Sequence, residues 1–109
     1  MSDSSREGAA VMTVIAKLKV KAGNDAAFRE HAEKMIAHVK ANEPGTVTYI
    51  LHRSTADAGE FLFYEVYRDQ GSFAAHGGSE AMQQFFGAVG GLLDGRPEIR
   101  LYEELGGKK

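Results

Sequence analysis

The 109-residue sequence contains no cysteine. Disulfide bonds, zinc–thiolate sites, iron–sulfur clusters and cysteine nucleophiles are therefore excluded. An excess of charge of one sign is also lacking, because the formal net charge is only -2. Dedicated nucleic-acid-binding proteins usually carry a strong basic excess, so we expect no nucleic-acid partner.

Long hydrophobic runs are missing as well. No apolar segment approaches the roughly 20 residues that a membrane-spanning helix needs, so we expect no membrane association. Residues 1–10 are small and polar and lack the apolar core of a signal peptide. Together with the absence of cysteine, this favours a cytoplasmic protein. We expect a disordered leader over residues 1–10, one domain over residues 11–105 and a C-terminal tail over residues 106–109.

Alternation of apolar and polar residues predicts four β-strands. The predicted strands cover residues 11–20, 46–53, 61–68 and 96–105. Between the first two strands, apolar residues recur at helical spacing and predict an amphipathic helix that Asn24 caps and that ends before Pro44. The apolar residues of this helix are Phe28, Ala32, Met35, Ile36 and Val39.

A second helical region follows the third predicted strand. Asp69 is placed to cap its start, a Gly77-Gly78 pair weakens its middle, and Ser79 is placed to cap its continuation. The order β-α-β-β-α-β predicts an α+β ferredoxin-like domain, in which one antiparallel sheet carries both helices on one face. The other face also carries apolar residues, such as Ile15, and we expect two copies to pair through it as a homodimer.

A single carboxylate stands among aromatic residues on the third predicted strand. Glu65 alternates with Phe63 and Tyr67, so the three side chains share one face of the sheet. Ionised carboxylates are rarely buried unpaired, so Glu65 is either hydrogen-bonded and structural or part of a pocket. His76 follows on the helix that returns over the sheet, where both residues could face one cavity. Histidine titrates near neutral pH and suits proton transfer, which makes the pair a candidate acid–base site.

The histidines give no metal-binding pattern. No HExxH motif is present, and the four histidines lack the close spacing of metal ligands, so we expect no metal site. The paired glycines at residues 77–78 and 90–91 do not follow a strand in the frame of a phosphate-binding loop.

Four segments, in their order and spacing, resemble the antibiotic biosynthesis monooxygenase family. They are Glu-Pro-Gly-Thr-Val-Thr-Tyr at 43–49, Phe-Leu-Phe-Tyr-Glu-Val-Tyr-Arg-Asp at 61–69, Phe-Ala-Ala-His-Gly-Gly-Ser at 73–79, and Gly-Arg-Pro at 95–97 leading into Ile-Arg-Leu-Tyr at 99–102. The resemblance runs from about Met12 to Leu105. It implies a dimeric α+β barrel with a cavity between sheet and helices in each subunit.

The resemblance also assigns expected site residues. The family's glutamate corresponds to Glu65, its aromatic residue two positions on to Tyr67, and its helix histidine to His76. Two departures affect the implied chemistry. Many members have a second histidine where this chain has Ala81, and oxygenase members often have tryptophan where this chain has Tyr67.

The first functional hypothesis is a monooxygenase without metal or flavin that acts on a phenol or quinol. In this hypothesis His76 accepts or positions a proton, and Glu65 orients His76 or raises its basicity. The resulting substrate anion gives an electron to oxygen. Tyr67, Phe63 and Tyr49 shape the pocket. Arg100 stabilises an anion if its side chain faces inward.

Two alternatives of different kinds remain open. The first is an isomerase of a small phosphorylated dicarbonyl, similar to the autoinducer-2 processing branch of the family, which needs no oxygen. It requires a phosphate-binding cation, for which the candidates are Arg68, Arg96, Arg100 and Lys17. The second is a binding protein without catalysis, either for haem with His76 as axial ligand or for RNA on the aromatic residues of the sheet.

Overall fold

One antiparallel sheet of four strands forms the framework of the structure, a computed structural model that describes residues 11–109. The strands are β1 (Met12–Lys19), β2 (Thr46–Arg53), β3 (Glu60–Tyr67) and β4 (Glu98–Glu103). The helices are α1 (Asp25–Asn42), α2 (Gln70–Gly77) and α3 (Glu80–Val89), and a 3₁₀ turn covers Gly90–Leu92. The strand order β2-β3-β1-β4 confirms the ferredoxin-like α+β fold. The predicted leader, residues 1–10, lies outside the described residues.

The core lies between the helices and one face of the sheet. Helix α1 buries Phe28, Ala32, Met35 and Val39, which follow its helical period, as predicted. The Phe28 ring lies 4.9 Å from that of Phe61 on β3, measured between ring centroids. Asn24 occupies the N-cap position of α1, but its side chain makes no capping hydrogen bond.

The second helical region consists of two helices, and each of them begins at its own N-cap residue. The Asp69 carboxylate accepts a hydrogen bond from the Ser72 backbone N–H at 2.8 Å and starts α2. The Ser79 hydroxyl accepts one from the Met82 N–H at 3.1 Å and starts α3. The break falls at the weakly helical glycine pair, where it was predicted.

Strand β2 contains an irregularity that its sequence does not reveal. The pairing with β3 shifts between Thr46 and Thr48, so Val47 is an extra residue at a β-bulge. Strict alternation would place Val47 on the inner face with Tyr49 and Leu51, but its side chain is exposed. Tyr49 lies opposite Glu65 across the strands.

The face of the sheet away from the helices carries exposed apolar side chains. Ile50, Tyr64 and Tyr102 are exposed, and Ile15 is half-buried. The predicted pairing of two copies through this face stays a prediction, because the structure describes one chain. Within residues 11–109, none of the helices combines the length and apolar character needed to cross a membrane.

Candidate active site

A cavity of about 370 Å³ lies between the sheet and helices α2 and α3. Its volume is in the range of small-molecule sites, about 300–1,000 Å³. The walls are mainly apolar, and Phe86 and Ile99, both exposed, form part of the rim. The residues around the cavity are Val14, Ala16, Leu18, Tyr49, Phe63, Glu65, Phe73, His76, Gly77, Met82, Gln83, Phe85, Phe86, Pro97 and Ile99.

Glu65 is a buried carboxyl group on the β3 wall of this cavity, with only 5% of its surface exposed. The Tyr67 hydroxyl donates a hydrogen bond of 2.6 Å to Glu65 Oε1. Burial raises the pKa of Glu65 to about 7, because the ionised form loses its hydration. The Tyr67 hydrogen bond opposes this rise and the negative charge of Glu43 adds to it. Glu65 is therefore partly protonated at neutral pH and can donate as well as accept a hydrogen bond.

His76 lies on the helical wall of the same cavity and is 3% exposed. Its Nδ1 lies 2.8 Å from Oε1 of Glu43, the residue that follows α1. Its other ring nitrogen, Nε2, is buried and has no hydrogen-bond partner among residues 11–109. A buried polar atom without a partner is uncommon and calls for an explanation, such as a catalytic role or a ligand.

Three aromatic side chains hold this pair of groups in place. The Tyr49 ring stacks on Phe63, with 4.7 Å between ring centroids, and lies 5.1 Å from the His76 ring. Tyr67 is completely buried, and its ring lies 5.4 Å from His76. Burial raises the pKa of both tyrosines above the ordinary range, so each hydroxyl keeps its proton.

The structure brings together five of the six site residues named from the sequence. Four of them line the cavity, whereas Tyr67 contacts Glu65 and His76 without being among the lining residues. Two further differences concern Glu65 and Arg100. Glu65 makes no hydrogen bond to His76 within the described residues; its partner is Tyr67, and Glu43 is the partner of His76. Arg100 does not reach the cavity. It alternates with Ile99, lies opposite Ile15 across the strands, and is exposed and paired with Glu98.

Glu43 is the site residue that was missed from the sequence. It lies 33 residues before His76, in the Glu-Pro-Gly segment that resembles the family. A turn brings it to the helix: the Gly45 carbonyl accepts a hydrogen bond from the Arg68 N–H at 2.8 Å. A Cβ at Gly45 would lie 2.6 Å from the Ser72 Cβ, so only glycine allows this close approach.

The described part of the cavity wall has few groups that can carry a charge. None of the described residues around it is arginine or lysine, and its charge-bearing groups are Glu65 and His76. Arg68 pairs with Asp69 and Lys17 with Glu60, both outside this wall. Within residues 11–109, no three histidine, aspartate or glutamate side chains are grouped so as to hold a metal ion.

The fold and the site define a class: a ferredoxin-like α+β domain with an apolar small-molecule cavity that contains a buried histidine and a buried carboxyl group. The family model for antibiotic biosynthesis monooxygenase matches residues 11–88. The chain therefore belongs to the antibiotic biosynthesis monooxygenase family. A search of curated proteins finds no match.

Solved structures agree with this assignment. A Caulobacter crescentus protein named as a candidate antibiotic biosynthesis monooxygenase is 28% identical and has a TM-score of 0.86. The similarity covers 95% of this chain and 100% of that one. The Mycobacterium tuberculosis protein Rv0793 is 25% identical with a TM-score of 0.83, over 91% of this chain and 99% of its own.

Proposed function

We propose that this protein is a cofactor-independent monooxygenase of a small phenol or quinol. The observation that carries the proposal is that one apolar cavity contains both a buried carboxyl group, Glu65, and a buried histidine whose Nε2 has no partner among the described residues. Burial raises the pKa of the Glu65 carboxyl group to about 7. Two titratable groups with different environments are the usual basis of acid–base chemistry. The family and a similar structure named as a candidate monooxygenase support the same reaction class.

In the proposed reaction, His76 Nε2 accepts a proton from the substrate hydroxyl. Glu65 in its protonated form donates a hydrogen bond to a second substrate oxygen, and the Tyr67 hydroxyl holds the carboxyl group in place. The electron-rich anion then supplies the electrons that reduce oxygen. One oxygen atom enters the product and the other leaves as water, so no separate reductant is needed.

The lack of arginine and lysine among the described residues of the cavity wall argues against the isomerase of a phosphorylated substrate. A phosphate group would need arginine or lysine beside it, and none of the four candidates lines the cavity. Arg68, Arg100 and Lys17 each pair with a carboxylate outside it, and Arg96 is exposed and directly precedes Pro97 of the wall. A neutral aromatic ring with hydroxyl groups matches the walls and the two polar groups better. The homodimer and the cytoplasmic location expected from the sequence stay part of the proposal.

Oxygen incorporation tests the proposed function. We expect the protein to convert 1,4-dihydroxynaphthalene and one equivalent of ¹⁸O₂ into 2-hydroxy-1,4-naphthoquinone that carries one ¹⁸O atom, with water as the other product. Simple autoxidation would give 1,4-naphthoquinone and hydrogen peroxide without the label, so mass spectrometry and a peroxide assay separate the two reactions. The dimethyl ether of the same quinol has no acidic hydroxyl and should not react.

Failure to incorporate the label into this quinol or into a panel of related phenols would contradict the proposal. Anaerobic conversion of a dicarbonyl would instead support the isomerase. A Soret band on titration with haem, with its loss in His76→Gln, would support the binding alternative.

A further inference from the structure

We infer that Glu43 is a positioning residue for His76, which holds the ring in the tautomer with its proton on Nδ1 and leaves Nε2 free to accept a proton. The inference deepens the proposed function, because it rests on His76 as the base of that reaction. It begins with the 2.8 Å contact between His76 Nδ1 and Glu43 Oε1, which joins a cavity residue to a carboxyl group outside the cavity wall.

The surroundings of Glu43 identify it as a hydrogen-bond acceptor. The Thr46 hydroxyl donates to the same oxygen, Oε1, at 2.8 Å. An oxygen that already accepts from Thr46 serves as acceptor toward Nδ1 as well, since a carboxylate oxygen has two lone pairs. With Oε1 as the acceptor in both bonds, the hydrogen of the bond to His76 lies on Nδ1.

The second oxygen of Glu43 also faces a donor. His38 Nε2 lies 3.4 Å from Oε2, although the geometry is not that of a hydrogen bond. The Asn42 side-chain nitrogen lies 3.2 Å from both the His38 carbonyl oxygen and His38 Nδ1, and an amide nitrogen can only donate. A neutral His38 ring therefore carries its hydrogen on Nε2, toward Glu43. Groups that can donate therefore lie on both sides of this carboxyl group, although only Oε1 accepts a hydrogen bond from the described residues.

The backbone fixes Glu43 in this position. Its N–H donates to the Val39 carbonyl at 3.0 Å, and its carbonyl accepts from the Thr46 N–H at 3.0 Å. The side chain is largely buried, with 12% exposed. A carboxylate held in this way sets the tautomer of an imidazole and stabilises the imidazolium that forms when Nε2 takes a proton.

The tautomer can be measured directly on the full chain labelled with ¹⁵N-histidine. Long-range ¹H–¹⁵N spectra distinguish a protonated ring nitrogen from an unprotonated one. For neutral His76 we expect a protonated Nδ1 and an unprotonated Nε2. In Glu43→Leu, which removes the acceptor, we expect the Nε2-protonated tautomer or a mixture. In Glu43→Gln, which keeps an acceptor oxygen without the charge, we expect the wild-type tautomer to be retained.

Glu98→Leu is the matched control, because it removes an exposed carboxylate that pairs with Arg100 outside the cavity. It should leave the His76 spectrum unchanged. A wild-type His76 protonated on Nε2, or a Glu43→Leu variant that keeps a pure Nδ1–H tautomer, would overturn the inference. The wild-type result decides the question even if Glu43→Leu does not fold. The expected tautomer without ¹⁸O incorporation would leave this inference intact and remove the proposed function alone.

Discussion

Replacing Glu65 with glutamine should stabilise the protein by roughly 3 kcal/mol at pH 8 and leave its stability nearly unchanged at pH 4. The pKa of Glu65 is raised from 4.5 to about 7, chiefly by burial. Each pKa unit corresponds to about 1.4 kcal/mol of free energy between the two protonation states. Glutamine has almost the same shape, never ionises, and keeps an oxygen that can accept the Tyr67 hydrogen bond.

The direction of the effect follows from proton linkage. Below pH 4.5 Glu65 is protonated in both the folded and the unfolded chain, so it contributes no difference. As the pH rises toward 7, the unfolded chain ionises while the folded chain holds its proton, and the folded state loses stability. Above pH 7 the whole cost is present, and the glutamine variant avoids it.

Chemical denaturation of both proteins between pH 4 and pH 8 measures this difference. Glu33→Gln is a suitable control, because Glu33 is exposed on α1, and it should change the free energy of unfolding by less than about 0.5 kcal/mol. A glutamine variant that is less stable than the wild type at pH 8, or a difference that does not depend on pH, would show that Glu65 is ionised and well solvated in the fold.

The fold could be predicted from the sequence because its signals are local. The period-two alternation of β3 placed Glu65 on a face with Phe63 and Tyr67, and helical spacing placed the buried residues of α1. The caps at Asp69 and Ser79 were visible for the same reason. Each of these features depends on neighbours within a few residues.

The site could be predicted only in part. Its remaining contacts depend on the turn at Gly45 and on how the strands pair with one another. Glu43 reaches His76 through the close packing of Gly45 on Ser72, which no local pattern contains. The bulge at Val47 changes which residues of β2 face the helices, and no pattern in the sequence predicts it. The position of Arg100 could not be predicted either. Apolar and polar residues alternate along β4, but the alternation alone does not reveal which of its two faces lies toward the helices.

Replacing His76 with glutamine should lower the turnover of a quinol substrate by about 10² to 10⁴-fold, the usual contribution of a general acid or base. Glutamine can still donate a hydrogen bond to Glu43, so the buried carboxylate keeps a partner and the fold should survive. It lacks a basic nitrogen at ordinary pH, so the substrate hydroxyl keeps its proton. Substrate binding should change far less than turnover, because the apolar walls remain.

Steady-state and single-turnover kinetics separate the two effects. His52→Gln is the matched control, because His52 is an exposed histidine on β2 that does not line the cavity, and it should keep wild-type turnover. A His76→Gln variant with wild-type turnover would exclude His76 as the base. Equal losses in both variants would point to a general effect on the fold.

The most direct test of the central claim is a crystal structure of the protein with a quinol bound under anaerobic conditions. We predict the aromatic ring inside the cavity between the sheet and helices α2 and α3, with one hydroxyl oxygen within about 3.2 Å of His76 Nε2. The second oxygen should lie within hydrogen-bond distance of the Glu65 carboxyl group. A quinol bound elsewhere, or one in the cavity with both oxygens turned away from His76 and Glu65, would contradict the account.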